Sequence, residues 1–333
     1  MTTTTASAAP ARDRGSWLQG TRLNEIGLVV AIAVLYIVLG ITAAGFLNTG
    51  NQLGILRDAA TIGIAAWGVT LVIIAGEIDI SIGPAVAFAS VLVAMGSADW
   101  GLGVVGAIVL TLLAGIGWGA VAGWLRAQFG VPSFITTLGL WSVLGGLGLY
   151  LTSALPVVLP QSDLLDLLGG SVLGIPTAAI VMLVLFGVFV YIAKYTAYGR
   201  AVYSIGGNAS AAMLAGISLT RVRILLFATT GLLSAITGIL LAARLGAGSG
   251  SAASGLEFDV IAAVVIGGTA LAGGRGSLLG TLLGVIFITV IGNGLVLLGV
   301  DSFLQDVIRG VIIVGAVLIN VWAGRRGTAT RTS

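Results

Sequence analysis

The sequence predicts an all-α polytopic membrane protein with about ten transmembrane helices. Of its 333 residues, 58% are hydrophobic and only 8% are charged, whereas ordinary soluble domains carry about 25% charged residues. Glycine is abundant, with 52 residues, and small residues allow transmembrane helices to approach one another closely. These observations together favour a tightly packed helical bundle in a lipid bilayer.

The predicted spans are apolar runs near the length of about 20 residues that crosses the hydrocarbon core of a bilayer. They cover residues 26–46, 59–75, 82–95, 102–125, 132–151, 176–193, 224–243, 260–272, 278–300 and 303–322. The second, third and eighth runs are the shortest. We therefore divide the chain into a disordered cytoplasmic tail at 1–24, a transmembrane domain at 25–324 and a second cytoplasmic tail at 325–333.

The distribution of basic residues supports this topology. With both termini in the cytoplasm, all but three of the 15 Lys and Arg residues fall on the inner side. Arg57 and Arg244 fall outside, and Arg309 lies within the last predicted span. An excess of Lys and Arg in cytoplasmic loops is the usual bias of membrane proteins, and one missed span would reverse it downstream.

Composition also excludes several classes of site. The chain has no cysteine and no histidine, which excludes disulfides, iron–sulfur clusters, haem held by His or Cys, and ordinary zinc sites. We expect no metal site, no cofactor and no catalytic residue. The net charge of +3 is small, and the basic residues cluster at segment ends, so no nucleic-acid partner is expected.

The sequence contains a possible internal duplication. A shift of 197 positions aligns residues 64–66 with 261–263, 75–76 with 272–273, and Gly83 with Gly280. Duplicated halves with interrupted helices are common in transporters. The matched residues are, however, all common in apolar helices, so chance similarity is the alternative.

The stretch Gly76–Pro84 places Glu77, Asp79 and Ser81 between two apolar runs. Charges at or inside a membrane are costly unless they face a cavity, the aqueous interface or a partner. The flanking Gly and Pro indicate a broken or re-entrant backbone, which is tolerated at membrane depth only where protein or water covers it. The alternative is a short interfacial turn with two solvated acids.

The most hydrophilic interior region is the segment 194–223, predicted to be cytoplasmic. Asn208 is a favourable N-cap for a short helix over residues 209–215, and Gly216 suits the position after its C-terminal cap. An isolated helix of this length is marginal in water, so we expect it to dock, either on its own membrane domain or on a cytoplasmic partner.

Three ordered blocks resemble the permeases of sugar-type ATP-binding cassette (ABC) importers, the ribose, xylose and arabinose branch. The segment 194–223 carries Gly199-Arg200, Gly206-Gly207-Asn208, Ala211-Ala212 and Gly216-Ile217, and the region 257–280 carries Gly267-Gly268-Thr269 and Gly273-Gly274-Arg275-Gly276. The stretch at 76–83 is similar to the family's Gly-Gly-Ile-Asp-Leu-Ser-Val-Gly block, with Glu77 in place of the second Gly. Residues 293–295 and 299–300 add a weaker match.

The resemblance implies a multi-pass subunit of the bacterial cytoplasmic (inner) membrane, paired with a second copy or a paralogue. It also implies cytoplasmic ATP-binding cassette ATPase subunits and an extracytoplasmic sugar-binding protein as partners. No Gly-x-x-x-x-Gly-Lys-Ser/Thr loop is present, and Lys194 is the only lysine, so the chain has no phosphate-binding P-loop of its own. ATP hydrolysis would therefore take place on another polypeptide.

The resemblance and the topology together define three candidate sites. The residues expected to couple to the ATPase are Gly199, Arg200, Gly206, Gly207, Asn208, Ala211, Ala212 and Gly216. The residues expected at the gate or along the translocation path are Glu77, Asp79, Ser81, Gly267, Gly268, Thr269 and Arg275. The acids expected on the outer face, where a binding protein would dock, are Asp163, Asp166, Glu257 and Asp259, although acidic loops are often merely solvated.

Two hypotheses follow about mechanism. Arg275 is predicted to lie on the same side of the membrane as Glu77 and Asp79, so an ion pair with one of them is expected. The predicted function is import of a monosaccharide or related small polyol. The alternative is an autonomous secondary transporter or channel, which would need coupling-ion ligands at mid-membrane. A membrane enzyme is a third class, but the sequence has no convincing paired-carboxylate site for it.

Overall fold

The computed structural model describes the backbone of residues 14–329 and the side-chain surroundings of residues 24–315 and 318. Residues 1–13 and 330–333, which belong to the two predicted tails, lie outside the described residues. The first helix begins at Arg14, so it starts ten residues before the end of the predicted disordered tail.

Within residues 14–329 the chain folds into thirteen helices and four two-residue strands. The helices are α1 (Arg14–Thr42), α2 (Thr49–Ile74), α3 (Ile82–Ala98), α4 (Gly103–Phe129), α5 (Ser133–Leu151), α6 (Asp163–Gly169), α7 (Thr177–Tyr195), α8 (Ala197–Gly207), α9 (Ala209–Leu214), α10 (Leu219–Leu245), α11 (Leu256–Ile266), α12 (Leu278–Leu297) and α13 (Ser302–Ala329). The strands are β1 (Val157–Val158), β2 (Ser171–Val172), β3 (Ile175–Pro176) and β4 (Ala247–Gly248); β1 pairs antiparallel with β4, and β2 with β3.

Seven of the helices in the described part are long and apolar enough to cross a membrane, which confirms a polytopic helical membrane protein. They are α1 (its part Asn24–Thr42), α2, α4, α5, α7, α10 and α12. The shorter helices α3 and α11, and the terminal α13, occupy the three remaining positions at which the sequence predicts spans. The total of ten spans and the cytoplasmic location of the termini remain predictions.

Helix α2 runs through the centre of the bundle. Its spanning window is 83% buried, whereas those of α4, α5 and α7 are only 22% buried and present most of their side chains outward. Trp67 of α2 is fully buried, packs against Phe186 and donates its indole N–H to the Met182 carbonyl oxygen at 3.2 Å. The exposed apolar faces of the outer helices are those expected to contact lipid or a partner chain.

Glycine allows α4 and α10 to pack along their backbones. A Cβ atom added at Gly119 would overlap the Phe227 carbonyl oxygen, and one added at Gly231 would overlap the Gly115 carbonyl oxygen. Side chains larger than hydrogen would therefore force the two helices apart. This seam explains part of the glycine excess and agrees with the close helix packing that the composition predicts.

One predicted boundary is wrong. The polar run Leu47-Asn48-Thr49-Gly50-Asn51-Gln52 predicts a turn between the first two spans, yet α2 begins at Thr49. The polar side chains stabilise this helix start, because the amides of Asn51 and Gln52 both donate to the Phe46 carbonyl oxygen, at 2.8 and 2.7 Å. Polar residues therefore lie within the first helical turn, and they satisfy a loop carbonyl there.

The helix ends do not follow the constant shift of the proposed duplication. Helices α3 and α12 begin at nearly corresponding positions, but α2 ends at Ile74 whereas α11 ends at Ile266. The α11 end lies about five residues earlier than a 197-residue shift requires. The pair α2 and α3 and the pair α11 and α12 each consist of a helix, an irregular break and a second helix. The duplication itself stays a prediction.

Candidate functional site

The first break, residues 75–81, leaves α2 at Ala75, turns at the left-handed residue Gly76 and continues without regular secondary structure to α3. Gly76 has φ +76°, its N–H donates to the Ile73 carbonyl, and the Glu77 N–H donates to the Val72 carbonyl. This pair of bonds is a Schellman motif, which ends a helix and satisfies its last carbonyls. The broken backbone predicted from the Gly and Pro residues is confirmed.

Side chains of α5 accept hydrogen bonds from backbone N–H groups of this break. The Ile78 N–H donates to Ser133 Oγ at 3.0 Å, and the Ile80 N–H donates to Thr137 Oγ1 at 3.3 Å. Backbone groups away from water need such partners, since an unsatisfied N–H in a membrane costs several kcal/mol. The hydroxyls therefore allow non-helical backbone inside the bundle.

Asp79 is buried at the centre of the break and holds it against α10. Its Oδ1 accepts hydrogen bonds from the N–H and the hydroxyl of Ser81, at 2.9 and 2.6 Å, and its Oδ2 accepts one from Thr230 Oγ1 at 2.9 Å. Desolvation raises the pKa of Asp79 above its ordinary value, and the bonds from Ser81 and Thr230 oppose that shift. These contacts favour a structural role for Asp79 and Ser81.

Glu77 lies between two arginines that belong to different helices. Its Oε2 is 2.8 Å from Arg126 Nε near the end of α4, and its Oε1 is 2.8 Å from Arg223 Nε near the start of α10. The Glu77 side chain is 2% exposed, and those of Arg126 and Arg223 are 22% and 15% exposed. The Arg223 Nε–H is not aligned for a hydrogen bond, so that contact is a charge pair, whereas the Arg126 Nε–H donates to the carboxylate. We call these three residues the Glu77 clamp.

The expected ion pair of Arg275 with Glu77 or Asp79 is not formed in the described structure. Arg275 is exposed, while Glu77 is occupied by Arg126 and Arg223. The sequence prediction placed all of these groups at one end of the bundle, but it could not decide which arginine reaches the carboxylate. The two arginines that do so lie on helices that pack directly against each other, α4 and α10.

The second break, residues 267–277, follows α11 and resembles the first. Gly268 has φ +88°, and the N–H groups of Gly268 and Thr269 donate to the Val265 and Val264 carbonyls, again as in a Schellman motif. Gly267 packs against α12, where a Cβ atom would lie 2.6 Å from the Gly280 carbonyl group. Of the predicted path residues in this break, Gly267 and Thr269 are buried and Gly268 is exposed.

The segment 194–223 contains two short capped helices. Thr196 caps α8 by accepting from the Gly199 N–H at 3.1 Å, and Asn208 caps α9 by accepting from the Ala211 N–H at 3.0 Å. Gly216 follows α9 with φ +84°. The predicted short helix over 209–215, with Asn208 before it and Gly216 after it, is confirmed as α9 (Ala209–Leu214).

Helix α8 ends against the last residue of α2 and against the second break, at a glycine junction that we define as Gly76, Gly206, Gly273 and Gly274. The Gly274 N–H donates to the Ile74 carbonyl at 2.7 Å. A Cβ atom at Gly206 would overlap that same carbonyl oxygen and would lie 2.5 Å from the Gly274 nitrogen. A Cβ atom at Gly273 would lie 2.9 Å from Gly76 Cα. Three distant parts of the sequence therefore meet with backbone against backbone.

Two further hydrogen bonds tie this end of the bundle together. The Tyr203 hydroxyl of α8 donates to the Gly276 carbonyl at 3.0 Å, and the Ser277 hydroxyl donates to Glu25 at 2.9 Å. Burial raises the pKa of Tyr203, so its hydroxyl stays protonated and able to donate. The Tyr203 bond therefore fastens α8 to the second break.

The other predicted coupling residues lie mainly on the outer surface of α8 and α9. Arg200, Gly207, Asn208 and Ala211 are exposed, whereas Gly199 and Ala212 are buried. The largest apolar side chains on α9, Met213 and Leu214, are 58% and 87% exposed. The helix therefore presents a small apolar surface away from the bundle.

The four acids predicted on the outer face differ in their surroundings. Asp163 and Asp166 are exposed on α6. Asp259 forms an ion pair with Arg309 at 2.7 Å. Glu257 is only 3% exposed and accepts a hydrogen bond from Trp141 Nε1 at 2.9 Å. The expectation that Glu257 is a surface acid is therefore wrong. Its side chain lies between α11, α3 and α5 because Gly83, which has no side chain, leaves room for it.

Comparison with known proteins then gives the family. The family model described as the permease component of branched-chain amino acid transport systems matches residues 51–317. The chain belongs to this permease family. Among the described residues of this permease, no group of three His, Cys, Asp or Glu side chains is placed to hold a metal ion.

Relatives of this permease include several sugar transport proteins. A probable ABC transporter permease, YphD of Escherichia coli K12, is 59% identical over 93% of this chain and 93% of its own. The ribose import permease RbsC of Bacillus subtilis is 40% identical over 90% of this chain and 93% of its own. The L-arabinose permease AraH of Azospirillum brasilense is 35% identical over 95% and 92%, respectively. The resemblance to sugar-type ABC permeases is confirmed. No solved structure matches the chain.

Sequence reasoning missed several residues of this site. The predicted topology places Arg126, Arg223 and Glu77 on the same side of the membrane. This was the only signal in the sequence for the Glu77 clamp. Ser133, Thr137 and Thr230 gave no signal, because single hydroxyls in apolar helices commonly bond to their own helix backbone. Only the tertiary arrangement shows that they also bind the first break.

Proposed function

We propose that this permease is the membrane-spanning subunit of an ABC importer that moves a monosaccharide or related small polyol into the cytoplasm. ATP would be hydrolysed by separate ATPase subunits, and an extracytoplasmic sugar-binding protein would deliver the substrate. The relatives named as ribose, arabinose and xylose permeases support the substrate class. The proposed location is the bacterial cytoplasmic membrane.

The observation that carries this proposal is the glycine junction. An importer needs a mechanical link from a cytoplasmic motor to the helices around the substrate, and rigid-body movement of packed elements is a common form of such a link. Helix α8 contacts the end of α2 and the second break at the junction, where Gly76 of the first break packs against Gly273. The two breaks lead into the membrane helices α3 and α12. Displacement of α8 and α9 by an ATPase would therefore move both of these helices.

The surface of α9 supports an ATPase contact. Met213 and Leu214 project away from the bundle, and exposed apolar side chains on a cytoplasmic segment suit a protein interface more than a membrane-facing role. Asn208, Ala211 and Gly216 would hold α9 in shape, while Arg200 lies on the exposed side of α8. The second permease copy would contact the exposed faces of the outer helices, and Asp163 and Asp166 are offered as contacts for the binding protein.

Reconstitution tests the proposed function directly. The permease is purified with a candidate ATPase subunit and a candidate sugar-binding protein and placed in liposomes. Uptake of radiolabelled ribose, arabinose and xylose is then measured with and without ATP. We expect uptake only when all components and ATP are present. Uptake by the permease alone that follows an ion gradient would instead establish the secondary-transporter alternative.

A matched pair of variants tests the α9 contact. Leu214→Ser removes an 87% exposed apolar side chain from α9, and Leu173→Ser removes a 98% exposed one from the β2–β3 turn. We expect Leu214→Ser alone to weaken co-purification of the ATPase and lower uptake. Equal ATPase binding by the two variants would exclude the contact.

A further inference from the structure

Glu257 is a buried carboxylate placed well inside the bundle. It lies in the first turn of α11 and is 3% exposed. Nine residues separate it from Ile266, the last residue of α11, which corresponds to about 14 Å at the helical rise. The second break begins just beyond Ile266, so Glu257 lies roughly half the thickness of the hydrocarbon core from the start of that break.

Only one oxygen of this carboxylate has a hydrogen-bond partner among the described residues. Oε1 accepts the indole N–H of Trp141 at 2.9 Å, whereas the buried Oε2 has none. Oε2 lies against Gly83 in the first turn of α3: a Cβ atom there would overlap it and would lie 3.0 Å from Glu257 Cδ. Helix α3 begins without a side-chain cap, and Gly83 is its second residue, so the carboxylate lies beside the positive N-terminal end of that helix.

Trp141 connects this carboxylate to the surface of the single chain. It lies near the middle of α5 and is 42% exposed, while its N–H reaches the buried Glu257. An indole offers a flat apolar surface and one donor, and a carboxylate oxygen accepts hydrogen bonds from hydroxyl groups. A hydroxyl-rich ring has the complementary properties, with apolar C–H faces and hydroxyl donors at its edge.

We propose that Glu257 and Trp141 form a binding step for a polyhydroxylated ring midway along the translocation route. Glu257 Oε2 accepts a hydrogen bond from a substrate hydroxyl, and Trp141 packs against the ring. This inference rests on the proposed function and extends it to a substrate-contacting residue inside the permease.

Access to Oε2 requires α3 to move away from α11. In the conformation described, Gly83 covers this oxygen, so the site is closed. The first break joins α3 to the glycine junction, and displacement of α8 would therefore open the contact between Gly83 and Glu257. The same movement that opens the route would expose the free carboxylate oxygen.

The test uses the complete reconstituted complex and three variants. Glu257→Gln keeps the shape and the acceptor for Trp141 but removes the charge. Asp99→Asn, at the exposed far end of α3, is the control for the loss of one negative charge. Trp141→Phe keeps the aromatic surface, and Trp141→Ala removes it. The probes are D-ribose, L-arabinose, D-xylose and their monodeoxy analogues, compared at equal saturation of the binding protein.

We expect Glu257→Gln to lower uptake of the preferred sugar by about tenfold to a hundredfold, the range for a hydrogen bond to a charged group. At least one monodeoxy analogue should be transported equally by the wild-type and Glu257→Gln complexes, because neither can form the missing bond. Asp99→Asn should leave uptake unchanged, and Trp141→Phe should retain more uptake than Trp141→Ala.

Two outcomes contradict the binding step while leaving the proposed function intact. One is a uniform loss of uptake across all sugars and analogues in Glu257→Gln, which indicates a structural role. The other is no loss at all. Should Glu257→Gln fail to assemble, equal uptake by Trp141→Phe and Trp141→Ala likewise refutes the binding step. Absence of ATP-dependent uptake by the wild-type complex would instead overturn the proposed function.

Discussion

Gly206→Ala is expected to disrupt the contact of α8 with the end of α2 and with the second break. The added Cβ atom would overlap the Ile74 carbonyl oxygen and lie 2.5 Å from the Gly274 nitrogen. Both neighbours are backbone atoms, which cannot rotate away as a side chain would. The junction must therefore open by more than an ångström to reach ordinary contact distances, as in other overpacking substitutions.

The expected cost follows from two opposing effects. Overpacking a tight contact costs about 1–3 kcal/mol, and replacing glycine by alanine inside a helix recovers about 0.5–1 kcal/mol. We therefore expect a net loss of about 1–2 kcal/mol for Gly206→Ala. The adjacent Gly207 is the matched control, because no described atom lies within 4 Å of a Cβ atom placed there.

Two measurements separate the effects on stability and on coupling. Thermal unfolding in detergent, followed by tryptophan fluorescence, should give a lower midpoint for Gly206→Ala than for Gly207→Ala. In the reconstituted complex, Gly206→Ala should also transport less sugar per ATP hydrolysed. If both variants unfold at the same temperature and transport with the same efficiency, the glycine junction is not a tight mechanical contact and the coupling argument fails.

Three further predictions concern other contacts of the permease. Asp79→Ala should destabilise the fold by about 1–3 kcal/mol because the buried groups of Ser81 lose their acceptor, whereas Asp79→Asn should be tolerated. Burial raises the Asp79 pKa, so the folded state keeps the proton to higher pH, and the stability of the wild-type protein should fall as pH rises above about 4, whereas that of Asp79→Asn should not. Denaturant unfolding measured across this pH range would show or refute the difference. Glu77→Gln should cost about 1–3 kcal/mol by leaving two partly buried arginines unpaired, and an unchanged unfolding midpoint would show that the Glu77 clamp contributes nothing. Gly119→Ala should lower the unfolding midpoint through its clash with α10, while Gly117→Ala, with open space around the added carbon, should not; equal midpoints would contradict the close α4–α10 seam.

The sequence by itself determined the class of the protein and the order of its helices. Apolar runs of bilayer length reveal spans because the hydrocarbon core admits few charges. The start of α5 and the start of α9 are also predictable locally, from Pro132 and Asn208. The break after α2 was likewise predictable, since Gly76 supplies the positive φ that a Schellman motif requires. The start of α2 was not, because side chains of the predicted turn bind back to Phe46.

Only the tertiary structure decided which of these features meet. Residues 74, 206 and 274 lie far apart in the sequence, and no local pattern records that their backbones touch. The partner of Glu77 depended on the packing of α4 against α10, which brings Arg126 and Arg223 together and leaves Arg275 at the surface. Glu257 has the sequence context of a loop acid, yet the open space at Gly83 allows its carboxylate to enter the bundle. Local patterns predict helix ends where a cap or a positive-φ glycine marks them, whereas contacts between distant residues depend on how those helices pack.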